Sequence, residues 1–204
     1  MSPKFVDKAL KKEEIIKAAI RAFLRKGAYG TTISDISEEA GIGKGTIYEY
    51  FKSKEEIIFS TYEYFMNRFD EDARQMIEST SDPAEKLKRM LMFFADYIDQ
   101  EGEIMELLLD FWAIAIKESS TRGRLLASMR AFYQGFRDMV SGILVEGMAK
   151  GTFKKNINPE KIATILNGAF DGILIQWILD RRSVHYKDTL LQIPDLIFNG
   201  IRPR

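Results

Sequence analysis

The chain has 204 residues, with 30 lysines and arginines against 30 aspartates and glutamates, and no cysteine. Balanced charge gives no global attraction to a polyanion, and the missing cysteines exclude disulfide frameworks, thiolate metal sites and thiol nucleophiles. No apolar run approaches a membrane span, and the polar start (Ser2, Lys4, Asp7, Lys8) is no signal peptide, so a soluble cytoplasmic protein is expected.

In chain order, Glu13 to Lys26 is helix-periodic, with Ile16, Ala19, Ile20, Phe23 and Leu24 on one stripe. Gly27 is the expected C-cap, taking a left-handed conformation. Thr32-Ile33-Ser34-Asp35 reads as a capping box with aspartate in the usual glutamate position, and Gly41 ends that second helix. A short turn leads to a third helix at residues 44 to 51. This spacing is helix-turn-helix geometry, in which the second helix of the pair enters a major groove. A shared core of Ile16, Ile20, Phe23, Ile36, Ala40, Ile47 and Phe51 is expected.

On the third helix Ile47 and Phe51 point inward, leaving Lys44, Thr46, Tyr48 and Tyr50 outward or sideways. A cation, a hydroxyl and two phenols, approached closely past Gly43 and Gly45, suit a nucleic-acid groove. The bland reading is a capped surface helix with two stray tyrosines. Lys11, Lys12, Lys17, Arg21, Arg25 and Lys26 add local positive charge, although a solvated helix face explains them equally well.

From Gly27 the chain reads GAYGTTISDISEEAGIGKGTIYEYFKSKEEI, which resembles the N-terminal signature of the TetR family of bacterial transcriptional regulators. Two departures are visible: Gly43 stands where a serine-like N-cap is usual, and Ala28 alters the preceding loop. The resemblance implies an all-α homodimeric repressor with no cofactor. Residues 1–54 would be a three-helix DNA-binding domain, and residues 55–204 a larger helical bundle for ligand binding and dimerisation. It further implies that Thr32, Lys44, Gly45, Thr46, Tyr48, Tyr50 and Lys54 contact double-stranded operator DNA. Gly45 and Thr46 would meet base edges; Tyr48, Tyr50 and Lys54 would meet phosphates.

The remaining segments are helices with clear punctuation. Ser53-Lys54-Glu55-Glu56 opens a fourth helix running toward Ser79, and Asp82-Pro83 opens a fifth with Met90, Leu91, Phe94 and Ile98 at helical spacing. Glu103 to Lys117 is strongly apolar, and Ser120 to Lys150 is a long helix ended by Gly151-Thr152-Phe153. Asn158-Pro159 caps a helix through about Asp180, and a last one spans Tyr186 to Ile201 with a bend or restart at Pro194.

Large side chains crowd these body helices. Phe93, Phe94, Tyr97, Phe111, Trp112, Phe132, Tyr133 and Phe136 are the expected wall of a pocket for a small apolar or amphipathic effector, each equally explicable as core. Asp110, Asp171 and Gln176 are embedded in apolar stretches; if buried they need partners, of which a ligand is one candidate and Arg130 or Arg137 another, and a solvent-facing position is the equal alternative. The segments Leu107 to Lys117, Glu146 to Phe153 and Asp171-Gly172-Ile173 resemble the C-terminal domains of choline-responsive members of the family. The family's dimer interface would fall on the last two helices, where Ile162, Ile165, Leu166, Ala169, Phe170, Ile173 and Trp177 form an apolar face with Gly168 and Gly172.

Other chemistries are poorly supported. Gly41 to Thr46 superficially suggests a phosphate loop, but Gly45 follows Lys44 where serine or threonine is required, and Glu39 holds the glycine position. His185 is the only histidine, and no carboxylate pair sits in a catalytic context, so an enzyme ranks third. The runner-up is a helical ligand-binding or interaction module with no DNA-binding activity.

Overall fold

The computed structural model describes residues 8–116 and 122–203. Among the described residues there are nine helices and no strand, the all-α class expected. They are α1 Lys8–Gly30, α2 Ile33–Ala40, α3 Lys44–Tyr50, α4 Lys54–Glu78, α5 Pro83–Ile116, α6 Arg122–Ala149, α7 Pro159–Leu179, α8 Tyr186–Leu190 and α9 Ile193–Ile201. Two compact units emerge: Met1–Arg68 with Glu103–Ser128, and Phe69–Gly102 with Met129–Arg204.

In the first unit the helix-turn-helix core forms largely as the periodicity requires. Phe23, Ile36, Ile47 and Phe51 are fully or almost fully buried, whereas Ile20 and Ala40 are only half-buried. Ile15, Ala18 and Ala22 are buried as well, so α1 hides more than one stripe. The additional cover is physical: this unit also contains residues 103–128, and Tyr62 of α4 meets Phe111 of α5 edge-on at 5.7 Å.

Among the described residues, three glycines have positive φ. Gly41 closes α2 in the left-handed conformation (φ 63°, ψ 31°), as expected. Gly27 differs from the expected left-handed cap: φ 71° with ψ 156° is a mirror-extended conformation open essentially to glycine alone. The chain then resumes a helical turn to Gly30, with the Thr31 amide donating to the Gly27 carbonyl. The α2 capping box is complete, because Asp35 N–H donates to Thr32 Oγ1 while Thr32 N–H donates to Asp35 Oδ2. The one at Ser53 is altered: Glu56 N–H donates to Ser53 Oγ, but the Glu56 carboxylate accepts from Lys52 N–H, one residue early.

The expected fifth helix and the apolar segment after it merge into one 34-residue helix, α5. No proline intervenes, and Gly102 alone costs a helix only about 1 kcal/mol. Ser120 and Lys117, the expected ends of neighbouring segments, lie outside the described residues. Near Pro194 the last helix restarts, giving α8 and α9.

The second unit's core is aromatic. Phe69 touches the rings of Phe93, Phe94, Tyr97 and Phe132 at 4.8 to 5.8 Å. Phe153 is buried over the Gly147 backbone and stacks on Phe198 of α9, while Lys154 N–H donates to the Ile201 carbonyl.

Two expectations about α7 need correction. Its 21 residues are long and apolar enough to cross a membrane by length and composition alone, although no such run was expected. Polar Asn167, Asp171 and Gln176 break any continuous run while leaving the average high. The apolar face also divides. Leu166 and Phe170 are buried within the subunit, Ile165 is 64% exposed, and Ile162, Ala169, Ile173 and Trp177 are half-buried.

Candidate nucleic-acid interface and ligand recess

The α3 helix is seated by Ile47, which is fully buried, and closed by Phe51, whose N–H donates to the Ile47 carbonyl. With that anchor fixed, the helix period turns Lys44, Gly45 and Tyr48 to the exterior and leaves Thr46 and Tyr50 half-exposed. Tyr48 shows 55% of its surface to solvent, a large exposed aromatic beside exposed Lys44. A Cβ added at Gly43 or Gly45 would meet nothing within 4 Å, so packing inside the chain does not require glycine there. These five α3 residues share one element.

Thr32 and Lys54 stand elsewhere, with other demands on them. Thr32 is the exposed N-cap of α2, its hydroxyl engaged by Asp35 at 2.7 Å. Lys54 Nζ donates to the carbonyls of Tyr29 and Thr31, each at 2.7 Å, fastening the start of α4 to the α1–α2 corner. Partial burial there lowers its pKa, opposed by Glu55 and Asp35. At most one of its three ammonium donors is left for a phosphate.

Three of the α1 cations are also committed to α2. Arg21 and Arg25 both pair with Glu39, the former at 2.6 Å, and Lys26 pairs with Asp35 at 2.5 Å. The Lys26 hydrogen bond, followed by those from Thr32, holds the Asp35 carboxyl well below its usual range. Positive charge counted along a sequence does not reveal such pairing; the acids Asp35 and Glu39, shortly past the glycine corner, were the available signal.

In the second unit, Phe69, Asp70, Ala73, Met90, Phe94, Phe132, Phe136 and Met139 line a recess of about 280 Å³, counting the part open to solvent. Of the expected wall, Phe94, Phe132 and Phe136 line it. Phe93 and Tyr97 are buried against Phe69 instead, and the Tyr133 hydroxyl donates to Asp171 at 2.9 Å. Phe111 and Trp112 belong to the first unit, where Phe111 is buried. Phe69 and Ala73 were not anticipated, although Phe65, Phe69 and Ala73 follow the four-residue helical interval that would have marked them.

Asp171 takes the Tyr133 hydroxyl as its hydrogen-bond donor. Burial pushes its pKa up to about 6, against the lowering effect of Tyr133. Burial, with a smaller contribution from the Asp171 charge, also raises the phenol of Tyr186. Asp70, the ionisable lining residue of the recess, is paired with Arg74 at 2.7 Å. The recess therefore offers aromatic and thioether surface rather than a free charge.

Residues 15–61 match the family model for bacterial regulatory proteins of the tetR family, and residues 83–193 match that for the BetI-type transcriptional repressor, C-terminal. The fatty acid metabolism regulator protein of Bacillus subtilis (strain 168) is 23% identical over 92% of this chain and 94% of its own length. A TetR transcription regulator from Haloarcula marismortui shares the fold with TM-score 0.85 at 19% identity, covering 95% of this chain and 98% of that one. The regulator FadR from Bacillus subtilis, solved in complex with stearoyl-CoA, superposes with TM-score 0.77 at 22% identity, covering 93% and 99%. With both halves matched, the chain belongs to the TetR family of DNA-binding transcriptional regulators, with a BetI-type C-terminal domain.

Proposed function

We propose that this protein is a cytoplasmic homodimeric repressor that binds a palindromic operator and is released by a small apolar or amphipathic effector. Residues 1–54 read DNA, and residues 55–204 bind the effector and dimerise. The observation that carries the reading is α3: exposed Lys44, Gly45 and Tyr48 with half-exposed Thr46 among them, on an anchor that is wholly buried, with open space beside Gly43 and Gly45. Gly45 and Thr46 meet base edges, whereas Tyr48, Tyr50, Thr32 and the remaining Lys54 donor meet phosphates.

Dimerisation proceeds through α7 and α9. Ile165, Leu179 and Leu196 are exposed at 64%, 78% and 71%, and a Cβ at Gly168 or Gly172 would meet nothing within 4 Å. A second copy covers this surface, rather than lipid.

The effector enters the recess beside Phe94, Phe132 and Phe136. The enclosed space is only about 10 Å³, room for no more than a single water, so any effector must displace part of the wall. Relatives solved with stearoyl-CoA and with choline show how much the bound chemistry varies on this fold. The aromatic and methionine lining here favours an acyl or similarly apolar moiety.

The deciding measurement is binding of the purified protein to DNA from just upstream of its own coding sequence, across a salt series. A DNA reader loses affinity steeply as salt rises, because phosphate contacts release counterions. An interaction module without DNA-binding activity gives no salt-dependent preference for that fragment.

A further inference from the structure

The corner between α1 and α2 is gripped from two sides by opposite charges. Gly27, at φ 71° and ψ 156°, turns the chain out of the α1 ladder. The freed N–H of Ala28, a fully buried residue, donates to Asp110 Oδ2 at 2.7 Å. Lys54 takes the carbonyls of Tyr29 and Thr31, each at 2.7 Å. The carboxylate comes from α5 and the ammonium from α4. Gly27 is doubly constrained, since an added Cβ would stand 3.3 Å from Asp110 Oδ2 in a backbone conformation side chains rarely adopt.

From this geometry we infer that Asp110 is a positioning residue for DNA reading: its hydrogen bond to the Ala28 amide sets the orientation in which α2 and α3 are presented. The proposal rests on the repressor reading above. The carboxylate binds the corner through one buried N–H, so removing it leaves that donor unsatisfied and leaves Lys54 of α4 without the α5 carboxylate that grips the corner from the other side. A head that adopts the operator-competent orientation part of the time binds DNA more weakly in proportion to that fraction.

The test uses the full chain, whose lack of cysteine permits clean labelling. Spin labels at Glu38→Cys and Ala127→Cys, both exposed and in the first unit, report head position within one chain when it is diluted with unlabelled protein. Wild type and Asp110→Asn, whose amide oxygen still accepts the Ala28 N–H, should give one narrow distance. Asp110→Ala and Gly27→Ala should give broadened distributions. Affinity for the upstream DNA should fall about tenfold in Asp110→Ala, corresponding to a competent fraction near one tenth, and return to within about twofold in Asp110→Asn. An unchanged distribution in Asp110→Ala, or a broadened one with unchanged affinity, overturns the inference. Should Asp110→Ala not fold, Gly27→Ala carries the same comparison. If wild type binds no upstream DNA, the repressor reading falls, while the distance measurement still decides whether Asp110 sets the head.

Discussion

Phe94 lies flat against Phe170, ring centroids 4.2 Å apart and planes 2° from parallel, joining α5 to α7 beside the recess. Phe136 meets both rings nearly edge-on, at 5.4 and 5.9 Å. The lining of the recess proposed for the effector and the subunit's own core are therefore one set of side chains. Phe94→Ala should lower stability by about 3 kcal/mol, the usual cost of deleting a large core aromatic. Urea unfolding measures the loss, and addition of a saturating effector should restore part of it by mass action.

Replacing Gly147 tests the packing under the α6–α7 turn. A Cβ there would stand 2.1 Å from the ring of Phe153, which is almost fully buried. Gly147→Ala should cost about 1–3 kcal/mol through overpacking. The double variant with Phe153→Leu should lose less than the sum of the two single changes, measured by the same denaturation.

Asp171 supplies a pH dependence with a definite sign. Its folded pKa is raised to about 6 by burial, above the ordinary aspartate value of 3.8. The folded state thus holds the proton more tightly, so this residue's contribution falls as pH rises from about 4 through 6 and is level above that. Asp171→Asn, which keeps an acceptor for Tyr133, should remove the slope in that window and be more stable than wild type at pH 7. Thermal melts at pH 4.5 and 7 compare the two proteins.

On the reading helix, Tyr48→Ala should weaken binding to every DNA sequence alike and flatten the salt dependence. Thr46→Val should change preference at one base pair by about 1–3 kcal/mol. Competition binding against a set of singly substituted operators separates the two. Equal losses across that set for Thr46→Val would remove it from base reading.

For the dimer, the exposed members of the apolar face are the informative targets. Ile165→Asp combined with Leu196→Asp should yield a folded monomer in sedimentation, because both side chains are exposed in the subunit. Phe170→Asp should instead destroy the subunit, since that ring stacks on Phe94. A double variant that stays dimeric would move the interface away from α7 and α9.

The sequence alone determined the local features of this protein. The capping box at Thr32, the left-handed turn at Gly41, the proline starts at Pro83 and Pro159 and the buried anchors Ile47 and Phe51 all depend on neighbours within a turn or two. For the same reason the α3 face was legible: a known anchor and a fixed helical period decide which residues face out. Tertiary structure decided everything that required a distant partner. Lys54 holds the Tyr29 and Thr31 carbonyls, partners 25 and 23 positions away that no local pattern names. Asp110 was expected to need a partner and finds it 82 positions earlier, in the Ala28 amide. The aromatic wall was drawn as one set, yet Phe111 and Phe94 fall in different compact units. Helical periodicity says that a side chain is buried; which buried neighbours it meets is set by how separate helices pack, and no local pattern encodes that choice.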